Sequence, residues 1–88
     1  MVEIEEQKVE VGKVTHYYSE LGVAILKLSG TLEIGDIVRI AGGRSTDFTQ
    51  EVKSMELNHK KIDKANPSDL IGLKVQERVR ESCKVYKI

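Results

Sequence analysis

The chain has 88 residues, which is room for one domain and one hydrophobic core. Its 40% hydrophobic and 32% charged residues are typical of a folded globular protein and exclude an intrinsically disordered one. The 14 basic and 14 acidic side chains cancel, so the net charge gives no reason to expect nucleic acid or an acidic surface as a partner.

Charge is distributed unevenly along the chain. Residues 1–10 contain four Glu against one Lys, whereas residues 74–87 contain five basic residues against two Glu. The sequence therefore predicts an acidic, flexible N-terminal stretch at 1–8, followed by a single domain over 9–88. Residues 74–87 are a candidate basic face despite the neutral total.

The cysteine count and the apolar runs bear on the location of the protein. Cys83 is the one cysteine in the sequence, so it has no partner for an internal disulfide, which is typical of a reducing compartment. The N-terminus lacks the basic start and apolar stretch of a signal peptide, and the longest apolar run, residues 23–26, ends at Lys27. These features predict a cytoplasmic protein with no membrane contact.

Runs of β-favouring residues alternate with turn residues along the domain. The first run begins at Val9 and contains Gly12, where a bulge is expected. The pattern predicts strands over residues 9–18, 23–28, 37–41, 48–58, 70–75 and 85–88. These closely spaced short strands favour a small all-β fold, an antiparallel six- to seven-stranded closed β-barrel without exposed edges. A helix over residues 74–86 is the competing interpretation of "KVQERVRESCKVY".

The sequence also predicts which residues form the turns and which side chains fill the interior of the barrel. Gly30 and Gly35 provide conformations that other side chains disfavour in tight turns. Asp36 and Asp69 are expected to cap turn amides. The inward-facing positions are predicted to be Ile34, Val38, Ile40, Val52, Met55, Ile71, Leu73 and Val75.

The turn-rich stretch "SGTLEIGDIVRI" at 29–40 resembles the G-x-L-x-x-G-D-x-V-x-I signature of the β-barrel that follows the GTP-binding domain in translational GTPases of the elongation factor Tu family. The segments "EVKSMELNHK" at 51–60 and "ANPSDLIGLKV" at 65–75 are similar to two further segments of that barrel, in the same order and spacing. The resemblance covers residues 9–88 and implies a barrel of the translation-factor domain 2 type. Stand-alone small proteins that resemble translation elongation factors look most similar, and similar barrels also occur as C-terminal appendages of collagenase-like peptidase proteins.

The GTP-hydrolysing part of that family is missing from the sequence. "VGKV" at 11–14 lacks the leading glycine and the hydroxyl residue of a P-loop, and no guanine-reading segment follows. Ser68 replaces the family's usual glycine, and Leu70 replaces an asparagine that contributes to the aminoacyl pocket of aminoacyl-tRNA carriers. The resemblance therefore implies neither GTPase activity nor recognition of the charged tRNA end.

Catalytic and metal-binding chemistry has little support in the sequence. His16, His59 and Cys83 fit no zinc spacing, and no nucleophile-elbow pattern surrounds a serine. We expect no enzymatic activity, no cofactor and no metal.

Basic side chains provide the first binding hypothesis, that of an RNA-binding module. Contacts to tRNA, rRNA or a ribonucleoprotein of the translation apparatus would be dominated by phosphate neutralisation and would weaken with salt. The candidate residues are Arg44, Lys60, Lys61, Lys74, Arg78 and Arg80.

A protein–protein adaptor is the alternative hypothesis. Tyr17 and Tyr18 are neighbours on the first predicted strand, so their side chains point to opposite faces and at most one lies in the core. The exposed tyrosine could stack on a base or anchor a protein contact. In the adaptor hypothesis the chain docks onto a separate catalytic or translation-related chain.

Overall fold

The computed structural model describes residues 9–42 and 46–88, and in these residues ten strands form two antiparallel sheets. The strands are β1 (Val9–Tyr18), β2 (Val23–Leu28), β3 (Leu32–Glu33), β4 (Ile37–Gly42), β5 (Thr46–Glu51), β6 (Met55–Leu57), β7 (Lys60–Ile62), β8 (Lys64–Ala65), β9 (Leu70–Lys74) and β10 (Lys84–Lys87). The main sheet has the order β5-β4-β10-β1-β2-β9-β6-β7, and β3 pairs with β8. The prediction of an all-β antiparallel fold is confirmed.

The prediction of a closed barrel with six to seven strands is not supported. The main sheet has eight strands, and in the described residues its edge strands β5 and β7 pair only with β4 and β6. The predicted strand over 48–58 is broken at residues 52–54, where the chain leaves β4 and joins β9. Val52 and Met55 are both buried although they lie three residues apart, which strict alternation forbids.

Gln50 on β5 links the sheet to the end of β9, where the strands do not pair. Its side chain is almost fully buried, with 6% exposed. Its Nε2 donates a hydrogen bond to the Lys74 carbonyl at 2.9 Å, and its Oε1 accepts one from the Gln76 backbone N–H at 2.8 Å. One amide side chain thus supplies the donor and the acceptor that a neighbouring strand would otherwise provide.

The core is a single cluster of apolar side chains on the inner faces of the sheets. Val38 and Leu73 are completely buried, as predicted, whereas Ile34 is 39% exposed and its predicted inward position is wrong. Ile34 lies in the turn between β3 and β4, where no pleat directs its side chain inward. The buried apolar residues are Val11, Val14, Ala24, Leu26, Leu28, Leu32, Val38, Ile40, Val52, Met55, Ala65, Ile71, Leu73, Val75, Val79, Cys83 and Val85.

Two turns of the same construction precede β4 and β9. The Asp36 carboxylate accepts a hydrogen bond from the Glu33 N–H at 2.8 Å, and the Asp69 carboxylate accepts one from the Asn66 N–H at 2.9 Å. Both capping predictions are therefore confirmed. The third residue of each turn has a positive φ, 97° at glycine in the first turn and 79° at Ser68 in the second. Ser68 thus occupies a backbone conformation that favours glycine.

The segment between β9 and β10 is irregular, so the competing helix over 74–86 does not form. Val75, Val79 and Cys83 are all buried, and their spacing of four residues is what imitated a helical stripe. The backbone of this segment is held by hydrogen bonds from the Val75 N–H to the Gly22 carbonyl and from the Ser82 N–H to the Val14 carbonyl. Among the described residues no helix is long and apolar enough to span a membrane.

Candidate docking surface

The outer face of β10, β1, β2 and β9 presents three parallel rows of side chains, fixed by the register of the strands. Successive rows are two residues apart along β2 and β9, or about 6.8 Å, whereas on β1 the register shift between Val14 and His16 sets the first two rows three residues apart. From one end to the other the rows are Lys84–Lys13–Lys27–Leu70, then His16–Ile25–Gly72, then Tyr18–Val23–Lys74.

A groove on this face is lined mainly by apolar side chains, and we name it the apolar groove. Gly72 forms its floor: a Cβ added there would lie 3.4 Å from Val23 Cγ1 and 3.9 Å from Ile25 Cδ1. The absence of a side chain at this position therefore leaves a depression between β2 and β9. The apolar groove is defined by Tyr18, Leu21, Val23, Ile25, Leu70 and Gly72.

Three residues of the apolar groove are unusually exposed for their type. Leu21 is 63% exposed, Leu70 53% and Tyr18 47%. Leu21 lies in the turn between β1 and β2, which is closed by a hydrogen bond from the Gly22 N–H to the Tyr18 carbonyl. Single exposed apolar residues are ordinary on protein surfaces, but a contiguous group around a depression is typical of an interaction site.

The polar rim of the apolar groove consists of Glu56, Asn58 and His59. Glu56 pairs with Gly72 across β6 and β9, while Asn58 and His59 line the same depression. Asn58 and His59 have positive φ values of 54° and 65° and form the turn between β6 and β7. An apolar centre with a polar rim is the usual anatomy of a protein interface.

Tyr18 belongs to the docking surface and Tyr17 does not. Tyr17 is half-buried and packs against the hydrophobic core, so the two neighbours point to opposite sides as expected. On the outer face the ring of Tyr18 meets the ring of His16 edge to face, with 4.4 Å between the ring centroids. This contact holds the tyrosine beside the apolar groove.

The basic residues proposed from the sequence lie on different elements. Lys60 and Lys61 are exposed on the edge strand β7, and Lys74 is exposed at the end of β9 beside the apolar groove. Arg78 and Arg80 are exposed in the irregular segment between β9 and β10, so the candidate basic face at 74–87 is not the face of a single strand. Arg44 lies outside the described residues.

The residues considered for metal binding are separated by the fold. Cys83 is completely buried, whereas His16 is exposed, with its Nδ1 3.6 Å from Glu81 Oε2, and His59 lies in the turn after β6. Within residues 9–42 and 46–88, no three His, Cys, Asp or Glu side chains are placed to hold a metal ion.

Sequence reasoning did not find most of the apolar groove. The signal was present in residues 23–28, which are nearly all apolar, a pattern typical of a strand buried on both faces or of one wall of a small barrel. In the structure Val23 and Ile25 point outward and are only half-buried. Their partner Gly72 cannot be recognised as a groove floor without knowing which strand lies beside β2.

Comparisons with known sequences identify mainly proteolytic enzymes as relatives. An uncharacterized protease of Methanocaldococcus jannaschii is 36% identical over 80 residues, which cover 91% of this chain and 20% of the relative. A collagenase of Porphyromonas gingivalis is 38% identical over 82 residues, covering 92% and 20%. The chain thus spans about a fifth of the length of these relatives. No protein-family model matches the chain.

Two solved structures share the fold. The C-terminal domain of a Geobacillus thermoleovorans protein assigned to the U32 peptidases superposes with a TM-score of 0.84 at 21% identity, covering 98% of this chain and 99% of that chain. The selenomethionine form of that domain gives a TM-score of 0.82 at 23% identity, covering 86% and 95%. At these identities the likeness establishes the fold.

The resemblance to the barrel of translational GTPases is therefore a wrong assignment, and so is the translation-factor-like RNA-binding module derived from it. Elongation factor 1-alpha of Methanopyrus kandleri is 38% identical, but over only 67% of this chain and 16% of its own length. The proteases match over 91–92% of the chain, and both structures come from a peptidase domain. The matched motifs describe turns and inward-facing positions, which proteins of different function can share.

Proposed function

We propose that this chain is a non-catalytic adaptor domain that docks through the apolar groove onto a catalytic chain of the protease class. The observation that carries the proposal is the meeting of Tyr18, Leu21 and Leu70 around the depression at Gly72. Tyrosine is among the residues that contribute most to protein–protein affinity, and a contiguous exposed apolar patch around it marks an interaction site.

The proteolytic relatives support the choice of partner. The Methanocaldococcus jannaschii protease and the Porphyromonas gingivalis collagenase each contain a segment similar to this chain, and about four-fifths of their length lies outside it. A domain joined to a catalytic domain generally has a surface that contacts it. The apolar groove is the surface of this chain that best fits such a contact.

The fold also supports a non-catalytic role. Cys83 is the one thiol of the sequence and is completely buried, so it cannot approach a substrate. His16 faces the Glu81 carboxylate at 3.6 Å on the exposed side of β1. A free buried thiol is also compatible with a reducing compartment, and we propose the cytoplasm as the location.

Binding to a truncated relative tests this proposal. The probe is the Methanocaldococcus jannaschii protease from which the segment matching this chain has been deleted, and calorimetry measures its affinity for the chain. Leu70→Ser removes an apolar side chain from the apolar groove without adding a charge, and it is expected to weaken binding by about tenfold or more. Leu70 is 53% exposed, so the substitution should leave the melting temperature nearly unchanged.

The matched control is Ile88→Ser, because Ile88 is 61% exposed and is not among the residues that line the apolar groove. The control should bind like the unsubstituted chain. Absence of any complex with the truncated protease, or equal weakening by both substitutions, would contradict the proposal.

A further inference from the structure

The end row of the outer face contains three lysines side by side, and we name Lys84, Lys13 and Lys27 the lysine row. Lys13 on β1 is paired directly with Lys27 on β2 and with Lys84 on β10. Directly paired residues of antiparallel strands have Cβ atoms about 4.5–5.5 Å apart. All three side chains are exposed, so three ammonium groups are attached close together on one surface.

The charge of the lysine row is only partly balanced. Glu10 Oε1 lies 3.9 Å from the Lys84 ammonium. Lys13 and Lys27 form no ion pair with a carboxylate of the described residues. Like charges placed directly opposite each other destabilise a sheet. The fold therefore keeps an arrangement that works against its own stability, which is typical of a site selected for binding.

The lysine row and the apolar groove form one continuous surface. Lys27 is paired with Leu70 across β2 and β9, and Leu70 belongs to the apolar groove. A second shallow depression, lined by the lysine row together with Glu10, Gly12 and Ser29, lies at the other end of the same face. The part of a bound partner that extends beyond the apolar groove at Leu70 therefore lies over the positive charge of the lysine row.

We infer that the partner segment bound in the apolar groove is an acidic protein segment whose carboxylates lie over the lysine row. The inference rests on the proposed adaptor function and adds the chemistry of the partner. In an extended segment, side chains at i and i+2 are about 6.8 Å apart, which matches the spacing of positions along this face. A protein segment fits better than nucleic acid, because Leu70 and Ile25 beside the row offer apolar contacts rather than phosphate or sugar contacts.

Charge reversal of the lysine row tests the inference with the truncated Methanocaldococcus jannaschii protease as the probe. The triple variant Lys13→Glu, Lys27→Glu and Lys84→Glu is expected to lose about tenfold or more in affinity at low salt. The salt dependence of its affinity should also reverse, because salt then screens repulsion between the introduced Glu side chains and the partner's carboxylates.

The matched control reverses Lys53, Lys60 and Lys61, three exposed lysines outside the row, and changes the net charge equally. This control should bind like the unsubstituted chain. The single variant Lys13→Glu provides a second readout: it replaces the central charge by one that attracts both neighbours, so it should raise the melting temperature while weakening binding.

The outcomes separate the inference from the proposed function. If Leu70→Ser weakens binding and reversal of the lysine row does not, the adaptor function stands and the acidic partner is wrong. If neither change weakens binding, both are wrong. Binding of bulk tRNA that depends on the lysine row would overturn the inference in favour of nucleic acid, and self-association abolished by Leu70→Ser would overturn it in favour of a second copy of the chain.

Discussion

Two neighbouring parts of the sheet differ in how the charged side chains on their outer faces are paired. On β4 and β5, Arg39 Nε and Nη2 donate hydrogen bonds to the two carboxylate oxygens of Asp47 at 2.7 and 2.6 Å, so opposite charges meet. On β10, β1 and β2 the lysine row brings like charges together beside the apolar groove. On the first face Arg39 and Asp47 pair with each other within the chain, whereas the second face leaves positive charge and apolar area available to a partner. Both faces lie on the same sheet, so the difference comes from the strand register, which decides which side chains become neighbours.

The largest expected effect is a loss of stability on substitution of Gln50, whose side chain links β5 to the end of β9. Gln50→Ala removes the hydrogen bonds to the Lys74 carbonyl and the Gln76 N–H and leaves two backbone groups without their partner. We expect the free energy of unfolding to fall by about 2–4 kcal/mol. Denaturant titration measures the change. The neighbouring exposed residue provides the control, because Thr49→Ala removes no buried hydrogen bond; equal losses in the two variants would disprove the role of Gln50 as a link.

A substitution at Ser68, outside both faces, should raise stability without changing the affinity for a partner. Ser68 has a φ of 79°, and Ser68→Gly relieves a conformation that costs an L-residue about 1–2 kcal/mol. Glycine loses more backbone entropy on folding, so the expected net gain in the free energy of unfolding is about 0.5–1 kcal/mol.

The control for this prediction is Ser68→Ala, which keeps the Cβ and should give no gain. Affinity for the truncated protease should remain the same in both variants. A change in affinity with Ser68→Gly would mean that docking responds to global stability rather than to the apolar groove. An unchanged melting temperature would contradict the strain assigned to Ser68.

The smallest expected effects are changes in the free energy of unfolding, and the two faces should give changes of opposite sign. Arg39→Gln removes a bidentate ion pair whose side chains are 33% and 52% exposed, and solvent screening limits the expected loss of stability to about 0.5–1 kcal/mol. Lys13→Gln removes the central charge of the lysine row and should raise stability by about 0.2–0.8 kcal/mol.

Thermal melting at low and high salt measures both changes. Both differences should shrink as salt screens the charges. If Lys13→Gln destabilises the chain as Arg39→Gln does, the lysine row is not a site of repulsion and the contrast between the faces disappears.

Local sequence patterns predicted the elements whose ends are marked by turn residues. The strands Val9–Tyr18 and Val23–Leu28 agree with the structure residue for residue, and the bulge expected at Gly12 coincides with the register shift between Glu10 and Gly12. The hydrogen bonds by which the edge strand β5 contacts the end of β9 could not be predicted from local patterns. Gln50 and Lys74 are separated by 24 residues, and alternation shows only that Gln50 points inward, not that its amide replaces a strand.

The candidate site was harder to predict than the fold, because it depends on cross-strand register. Tyr17 and Tyr18 were both candidates, since alternation places one of two adjacent tyrosines outside without showing which one. Lys13, Lys27 and Lys84 are distant in sequence and meet only through the pairing of β10, β1 and β2, which a second shift between Val14 and His16 also alters. The motif at 29–40 indicated its turns and the buried Val38 and Ile40 correctly, although not the exposed Ile34. It led to the wrong family, because such turn and core geometry is shared by proteins of different function.

Mapping the contact surface by amide NMR tests the docking claim most directly. The ¹⁵N-labelled chain is titrated with the Methanocaldococcus jannaschii protease that lacks the matching segment. The predicted result is that shifts and line broadening concentrate on the outer face, at Tyr18, Ile25, Leu70 and Lys13. Changes concentrated on β4 and β5 around Arg39, or no change at any amide, would contradict docking through the apolar groove.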